Sequence, residues 1–290
     1  MDYTIGMETI SEERLLEKFK EYLLDRETAL ATLKKYLSDV KKFLIYCLGK
    51  EITKEVLLDY KQWLIENYAV NSVNSMIASL NQFLECMLLP HLKIKSVKCQ
   101  KQLFLRNEKN LNKKEYHKLL KTAKRQEKAR IQMIMETIAE TGIRVSELSF
   151  FTVKQVKRGK IEVRNKGKYR VILLTKRLKM RLLYYIKKQK ITSGVVFCTR
   201  TGKAMDRSNI WREMKKLEQE AQVLGEKIFP HNLRHLFART FYEETKNIVI
   251  LAGILGYSSL ETTRIYTMET IEKYQKLLER IGGILEYSCL

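Results

Sequence analysis

Between residues 8 and 89 the apolar side chains recur at helical spacing, and the pattern predicts four helices. Ile10, Leu15, Leu16, Phe19, Tyr22 and Leu23 line the first. Leu30, Leu33, Leu37, Val40, Phe43, Leu44 and Cys47 line the second, which Gly49 ends. Thr53 is placed to start a third through Leu57, Tyr60, Trp63 and Leu64. Asn71 is placed to cap a fourth through Val73, Ile77, Leu80, Leu84 and Met87, which stops near Pro90. Residues 91–110 have weak periodicity and read as an interdomain linker. The domains are therefore 1–90, a small helical domain, and 111–290, with 91–110 between them.

The second domain mixes periods. Asn112 caps a helix to about Lys124, and another runs from about Ala129 to Glu140, ended by Gly142. Phe150 to Val156, Lys160 to Arg164 and Tyr169 to Leu174 read as strands, the last two joined by a turn at Asn165-Lys166-Gly167-Lys168. Together they predict a small three-stranded antiparallel sheet in a mainly α chain, with the second domain of α+β class. Thr175 starts a basic helix to about Lys188, Asp206 caps one through Ile210 and Leu217, and Pro230 opens another. After an apolar helix from Ile248 to Leu255, the spacing of Ile271, Tyr274, Leu278 and Ile281 predicts a last amphipathic helix.

Charge changes the picture. The 290 residues carry 55 Lys+Arg against 33 Asp+Glu, a formal net charge of +22. Such an excess favours a polyanionic partner, most often nucleic acid. It is also unevenly placed. Met1 to Leu92 holds 11 basic and 14 acidic residues, whereas Lys93 to Arg130 holds 14 and 3, and Lys154 to Lys190 holds 15 and 1. A surface built only for solubility mixes its signs. Five scattered cysteines, an odd count, with no CxxC pair and no secretory signal point to reduced thiols and a cytoplasmic protein. No apolar run reaches the roughly 18 residues a membrane span needs.

Candidate chemistry gathers between Phe229 and Tyr266, FPHNLRHLFARTFYEETKNIVILAGILGYSSLETTRIY. His231 and Arg234 are about one helical turn apart and share a face. Arginine forks bind phosphate oxygens, histidine moves a proton, and a tyrosine hydroxyl can be a nucleophile, so the grouping suits phosphoryl transfer. Singly, each residue has a plainer reading. Arg144 alone is a surface arginine, Lys166 a hairpin-tip lysine, Tyr266 a half-buried tyrosine. His231 and His235 at i, i+4 fit the spacing of a zinc pair, but no HExxH glutamate accompanies them and Arg234 would repel the cation. His235 reads equally as a helix histidine bonded to backbone, and Glu147 as a residue ordering the Arg144 loop.

In order along the chain, TGIRVSEL with Arg144, a strand turn with Lys166, HNLRH with His231 and Arg234, and LGYSSLETTRIY with Tyr257 and Tyr266 resemble the tyrosine recombinase (integrase) family, especially compact Xer-type members. The likeness spans about residues 107 to 270 at motif level and the N-terminal part only as architecture. The resemblance implies a four-helix, SAM-like core-binding domain followed by an α+β catalytic domain. It implies that Arg144 and Arg234 stabilise a phosphate, Lys166 protonates a leaving 5′-oxygen, His231 assists proton transfer, and Tyr266 forms a 3′-phosphotyrosine intermediate. Tyr257 stands where the family usually has His or Trp, and its hydroxyl could contact a phosphate oxygen or buttress Tyr266. No cofactor and no metal is implied. The implied partners are double-stranded DNA, held in a C-shaped clamp, and further copies of the chain, a tetramer on two DNA sites resolving a Holliday junction. A partner recombinase or accessory protein is left open, and no accessory arm-binding domain is expected.

Two other classes share parts of the pattern. A type IB topoisomerase uses the same chemistry without sequence specificity or a tetramer, and a DNA-binding protein could carry the fold without catalysis. The joint presence of Arg144, Lys166, His231, Arg234 and Tyr266 argues against the second. The charge distribution predicts DNA affinity that falls steeply as salt rises, because many phosphates are contacted; an affinity titration flat in salt would contradict it.

Overall fold

The computed structural model describes residues 2–5, 8–48, 50–98, 110–165, 168–199, 201–257, 259–266, 275 and 278–281, with backbone alone at 2–5, 8–10, 165, 168 and 261. The chain divides into two compact units, Met1–Lys101 and Gln102–Leu290.

The first unit opens with a hairpin, β1 (Asp2–Ile5) and β2 (Glu8–Ser11), antiparallel with Asp2 opposite Ser11. Helix α1 (Glu12–Asp25) starts only after it. The Ser11 hydroxyl accepts from the Arg14 N–H, and this cap fixes the boundary, so Ile10 lies in a strand and not in the first helix. Helices α2 (Leu30–Tyr46), α3 (Lys54–Asn67) and α4 (Val70–Cys86) follow. Thr53 caps α3 as its sequence predicts, but α4 begins before Asn71, with Ala69 at its N-cap. Their inward stripes meet in one core around Phe19, Phe43, Tyr60 and Phe83, with the Phe19 and Phe83 rings edge to face at 5.5 Å.

Residues 93–98 are fastened to this unit. Asn74 and Asn81 sit two helical turns apart on α4, a rise of about 10 Å. Each makes a reciprocal pair of bonds to the strap. Asn81 accepts from the Ile94 N–H (3.0 Å) and donates to the Ile94 carbonyl (2.9 Å). Asn74 accepts from the Val97 N–H (2.7 Å) and donates to the Val97 carbonyl (3.0 Å). Three residues of extended chain also cover about 10 Å, so the two spacings match. Ile94 is buried in the helical core, and Lys61 donates to the Lys95 carbonyl at 2.8 Å.

The second unit begins with α5 (Lys113–Arg125), whose N-cap Asn112 and Glu115 form a reciprocal capping box. Helix α6 (Ala129–Thr141) runs through the core with Ile131, Ile134, Met135 and Ile138 buried. Gly142, in the left-handed region at φ 63°, ends it.

The strand expected over Phe150–Val156 is not one. A 3₁₀ turn covers Val145–Phe150, and α7 (Val153–Arg158) follows. The Thr152 hydroxyl caps α7 from the Gln155 N–H, and Val153 and Val156, one turn apart, are both buried. Period-three burial and a cap outweigh the β-branched composition, and Thr152 alone bridges, to Val195. The sheet is therefore the two-stranded hairpin β3 (Lys160–Asn165) and β4 (Lys168–Leu173), with Val163 opposite Arg170 and Ile161 opposite Ile172.

Helices α8 (Lys176–Lys188), α9 (Arg207–Lys215), α10 (Glu218–Ala221), α11 (Pro230–Thr245) and α12 (Ile248–Leu255) complete the unit, with α11 packed on α6. Most of the helix expected after Tyr266 lies outside the described residues; Leu278–Ile281 are helical and exposed. Among the described residues no helix is long and apolar enough to cross a membrane.

Removing one Asn clasp, as in Asn81→Ala, deletes two hydrogen bonds and is expected to cost about 1–2 kcal/mol. The check is the thermal midpoint, together with faster protease cleavage within 93–98; unchanged cleavage would show that the strap is held by Ile94 and Val97 alone.

Candidate active site

Helix α12 ends at Gly256, φ 66°, and its last carbonyls have no partner within the helix. The negative end of its dipole lies there too. Three arginines converge on it. Arg170, from β4, donates to the Leu255 carbonyl at 2.9 Å, and Arg234, from the first turns of α11, donates to the same oxygen at 2.8 Å. Arg144, from the turn after α6, donates to the Gly256 carbonyl at 3.4 Å.

Arg234 also donates to the Gly142 carbonyl, so one guanidinium bridges the C-terminal ends of α6 and α12. It is 1 % exposed, among the largest fully buried side chains of the chain. Its neighbours Leu233, Leu236 and Ala238 draw this face of α11 inward. Among the described residues its hydrogen-bond partners are neutral carbonyls, and its Nε is buried with no acceptor.

Glu147 is the carboxylate of the cluster and is 1 % exposed. One oxygen accepts from Arg144 Nη1 at 3.2 Å. The other accepts from the Arg144 backbone N–H at 3.0 Å and from Arg170 Nη2 at 2.7 Å. Glu147 thus orders the Arg144 turn, as its sequence position suggests. Arg144 and Arg170 share this carboxylate and Arg234 does not reach it, so the three-arginine cluster is strongly cationic. Burial pulls the Arg170 pKa down and Glu147 opposes this, while the Arg234 and Arg144 charges pull it down further.

Tyr257 lies against the cluster, with the Arg234 guanidinium 5.0 Å and that of Arg144 5.3 Å from its ring centre. Burial pushes the Tyr257 phenol up, but Arg234, the Tyr266 hydroxyl and Arg144 outweigh it, and the net shift is downward. Tyr266 moves the other way: burial raises it and the Tyr257 hydroxyl raises it further, against the weaker pull of Arg234 and Arg239. The two phenols influence one another without the geometry of a formed hydrogen bond, and the Tyr266 hydroxyl is buried without a partner among the described residues. Tyr266 is held by the 3₁₀ turn Arg264–Tyr266 and is 5 % exposed.

His231 and His235 stand edge to face at 4.4 Å, and the His235 ring is 5.3 Å from that of Tyr266. His231 keeps an open face to solvent, yet its surroundings, then Arg234 and Arg144, hold its pKa below the ordinary value. Burial, with His231, Arg239 and Arg234 nearby, lowers His235 to about 3. Among the described residues no group of three His, Cys, Asp or Glu side chains could hold a metal.

The fold therefore gathers Arg144, His231, Arg234, Tyr257 and Tyr266 in one place. Lys166, at the β3–β4 turn, lies outside the described residues. Two members of the cluster escape motif reading. Arg170 faces inward on β4 with Ile172, between the exposed Tyr169 and Val171, and this alternation was the available signal. Arg239 continues the His231, His235 stripe by four residues and donates to the Leu111 carbonyl at 2.7 Å.

Known proteins are similar to this chain in sequence and fold. The model of the phage integrase family matches residues 109–273. The chain is 28 % identical to the tyrosine recombinase XerA of Pyrococcus furiosus over 282 residues, covering 94 % of this chain and 95 % of that protein. It is 25 % identical to the tyrosine recombinase XerD of Vibrio cholerae, covering 92 % and 95 %. In fold it is similar to a lambda integrase tetramer bound to a Holliday junction, with a TM-score of 0.71, 18 % identity and coverage of 89 % and 77 %.

Linkage gives a pH prediction. His235 has a folded pKa near 3 against 6.5 unfolded, so between those values the unfolded chain binds more protons and stability falls as pH falls. At pH 5 this residue alone is expected to cost up to about 2 kcal/mol relative to pH 8. Denaturant titrations of the wild type and His235→Gln at the two pH values check it: the variant should lose less stability on acidification.

Proposed function

The chain belongs to the phage integrase family, and we propose that it is a site-specific DNA recombinase that cuts and rejoins strands through Tyr266. The observation that carries this reading is Arg234. A buried guanidinium whose partners are neutral carbonyls is costly to hold, and the cost is recovered when an anion arrives. A DNA phosphate is the anion that also accounts for the basic charge of the chain and for a tyrosine hydroxyl set beside the cluster.

In this reading Arg144 and Arg234 hold the non-bridging oxygens of the scissile phosphate and stabilise its charge in the transition state. Tyr266 Oη attacks phosphorus, the bond to the 5′-oxygen breaks, and a 3′-phosphotyrosyl link remains. The raised Tyr266 phenol is protonated at rest, so its proton must leave during attack. His231, neutral because its pKa is depressed, accepts it. Lys166 gives a proton to the departing 5′-oxygen. Tyr257, in place of the family's usual His or Trp, donates its hydroxyl to a phosphate oxygen or steadies Tyr266. Because the link conserves the bond's energy, a 5′-hydroxyl from another strand reverses the step without ATP, and no metal takes part.

The wider assembly follows the relatives. Residues 1–90 serve as the core DNA-binding domain, 91–110 as a basic connection whose first part is strapped to that domain, and 111–290 as the catalytic domain. Together they clamp a duplex in a C shape, and four copies on two DNA sites exchange strands through a Holliday junction.

The test is capture of covalent adducts from a pool of nicked genomic fragments, denatured in detergent and sequenced. The wild type should yield adducts sharing an inverted-repeat sequence, and Tyr266→Phe none at similar DNA affinity. Arg234→Ala should slow adduct formation by at least about 100-fold while binding changes far less. Adducts without a shared sequence would turn the reading toward a type IB topoisomerase, and an undiminished adduct in Tyr266→Phe would remove Tyr266 as nucleophile.

A further inference from the structure

We propose that Arg170 is a positioning residue of the reaction: its fork locks the β3–β4 hairpin to the supports of both phosphate arginines at once. The inference rests on the reading above and assigns a role to a residue that motif comparison does not mark.

Arg170 Nη1 donates to the Leu255 carbonyl, the oxygen that also receives Arg234, and Nη2 donates to the Glu147 oxygen that also receives the Arg144 backbone N–H. Each arm of the guanidinium therefore ends on an atom that already fixes one of the other two arginines. Arg144 and Arg234 come from different segments and share no hydrogen bond with each other among the described residues. Arg170 joins their supports within one side chain, Glu147 on one side and the Leu255 carbonyl on the other, beside the longer Arg144 contact to the Gly256 carbonyl at 3.4 Å.

A salt bridge made only for stability would not need this form. The Arg170 side chain is 15 % exposed and its Nε is buried without an acceptor, so the site holds it at a cost in desolvation. It also adds a third positive charge to a cluster that already has two, with one carboxylate among them. Gly256 is shaped around it: a Cβ at that position would lie 2.1 Å from Arg170 Nη1. Planar, bidentate reach is a property of arginine that lysine lacks, because an ammonium can approach Glu147 or the Leu255 carbonyl but cannot span both in one plane.

The location adds a second consequence. Arg170 faces Val163 across the hairpin, and Lys166 lies between its two strands in sequence. Anchoring β4 at Arg170 fixes the base of the arm that delivers the proposed proton donor, on the same carbonyl that places Arg234. One side chain thus keeps the leaving-group arm in register with the phosphate clamp, and errors in that register weigh heavily on rate.

The experiment uses full-length protein and the pool of nicked genomic fragments, with Arg170→Met, Arg170→Lys, Glu147→Gln and the Arg170→Met/Glu147→Gln double variant. Single-turnover adduct formation, DNA affinity and thermal midpoint are measured for each, below the lowest midpoint. Arg170→Met is expected to slow adduct formation about 100-fold with DNA affinity within about threefold, and Arg170→Lys to recover only about a tenth of the lost rate. Because Arg170 and Glu147 share one contact while each also makes others, the double variant should be slowed by clearly less than the product of the two single losses. An Arg170→Met rate within about threefold of wild type would overturn the assignment, as would losses that multiply in the double variant. If Arg170→Met does not fold, Arg170→Lys decides, and a wild-type rate there overturns it. A wild type that forms no Tyr266-dependent adduct overturns the recombinase reading itself, whereas a normal wild type with indifferent Arg170 variants overturns the present inference alone.

Discussion

The second unit depends on a single buried guanidinium. Arg234 ties the C-terminal carbonyl region of α6, at Gly142, to that of α12, at Leu255. Both helices can end there because a glycine follows in the left-handed region, where a side chain would be strained. The space is equally restrictive, since a Cβ at Gly142 would lie 2.4 Å from the Phe237 ring. Two helix ends, each with unpaired carbonyls and a negative dipole end, make a pocket that holds cations without neutralising them. The remaining charge is available to an anion, and that single fact joins the fold to the chemistry.

Around this centre the side chains carry out two opposed tasks. Glu147 and the helix ends restrain the arginines, while burial first and the arginines second hold the histidine pKa values down, and at Tyr257 the arginines with the Tyr266 hydroxyl outweigh burial. Tyr257 and Tyr266, nine residues apart in sequence, are shifted in opposite directions because one lies against two guanidiniums and the other is sealed behind it. Two like groups in unlike surroundings thus come to differ in acidity.

The charge along the chain divides in a parallel way. The N-terminal helical unit is nearly neutral in sequence, and the strong excess begins at Lys93. The first stretch of that basic segment is not loose chain. Asn74 and Asn81 hold its backbone to α4, and its exposed residues Lys95 and Lys98 are presented from a fixed base. A contact to a polyanion made from an ordered strap loses less entropy than one made from a free linker.

What sequence alone determined is what local rules control. The stripes of α1 to α6, the caps at Thr53, Asn112, Thr175 and Asp206 and the stop at Gly142 were legible because each depends on neighbours within a turn or two, and the motifs holding Arg144, His231, Arg234, Tyr257 and Tyr266 were legible as a family resemblance. The Phe150–Val156 segment misled because its β-branched residues suit strand or buried helix, and the Thr152 cap decides between them. Tertiary structure alone decided the pairings between distant residues. Asn81 with Ile94, Arg170 with Glu147 and Leu255, and Arg234 with Gly142 join positions whose partners no periodicity announces. Buried hydrogen bonds are satisfied by whatever the packing brings within reach, so their identity is fixed only when the layers have closed.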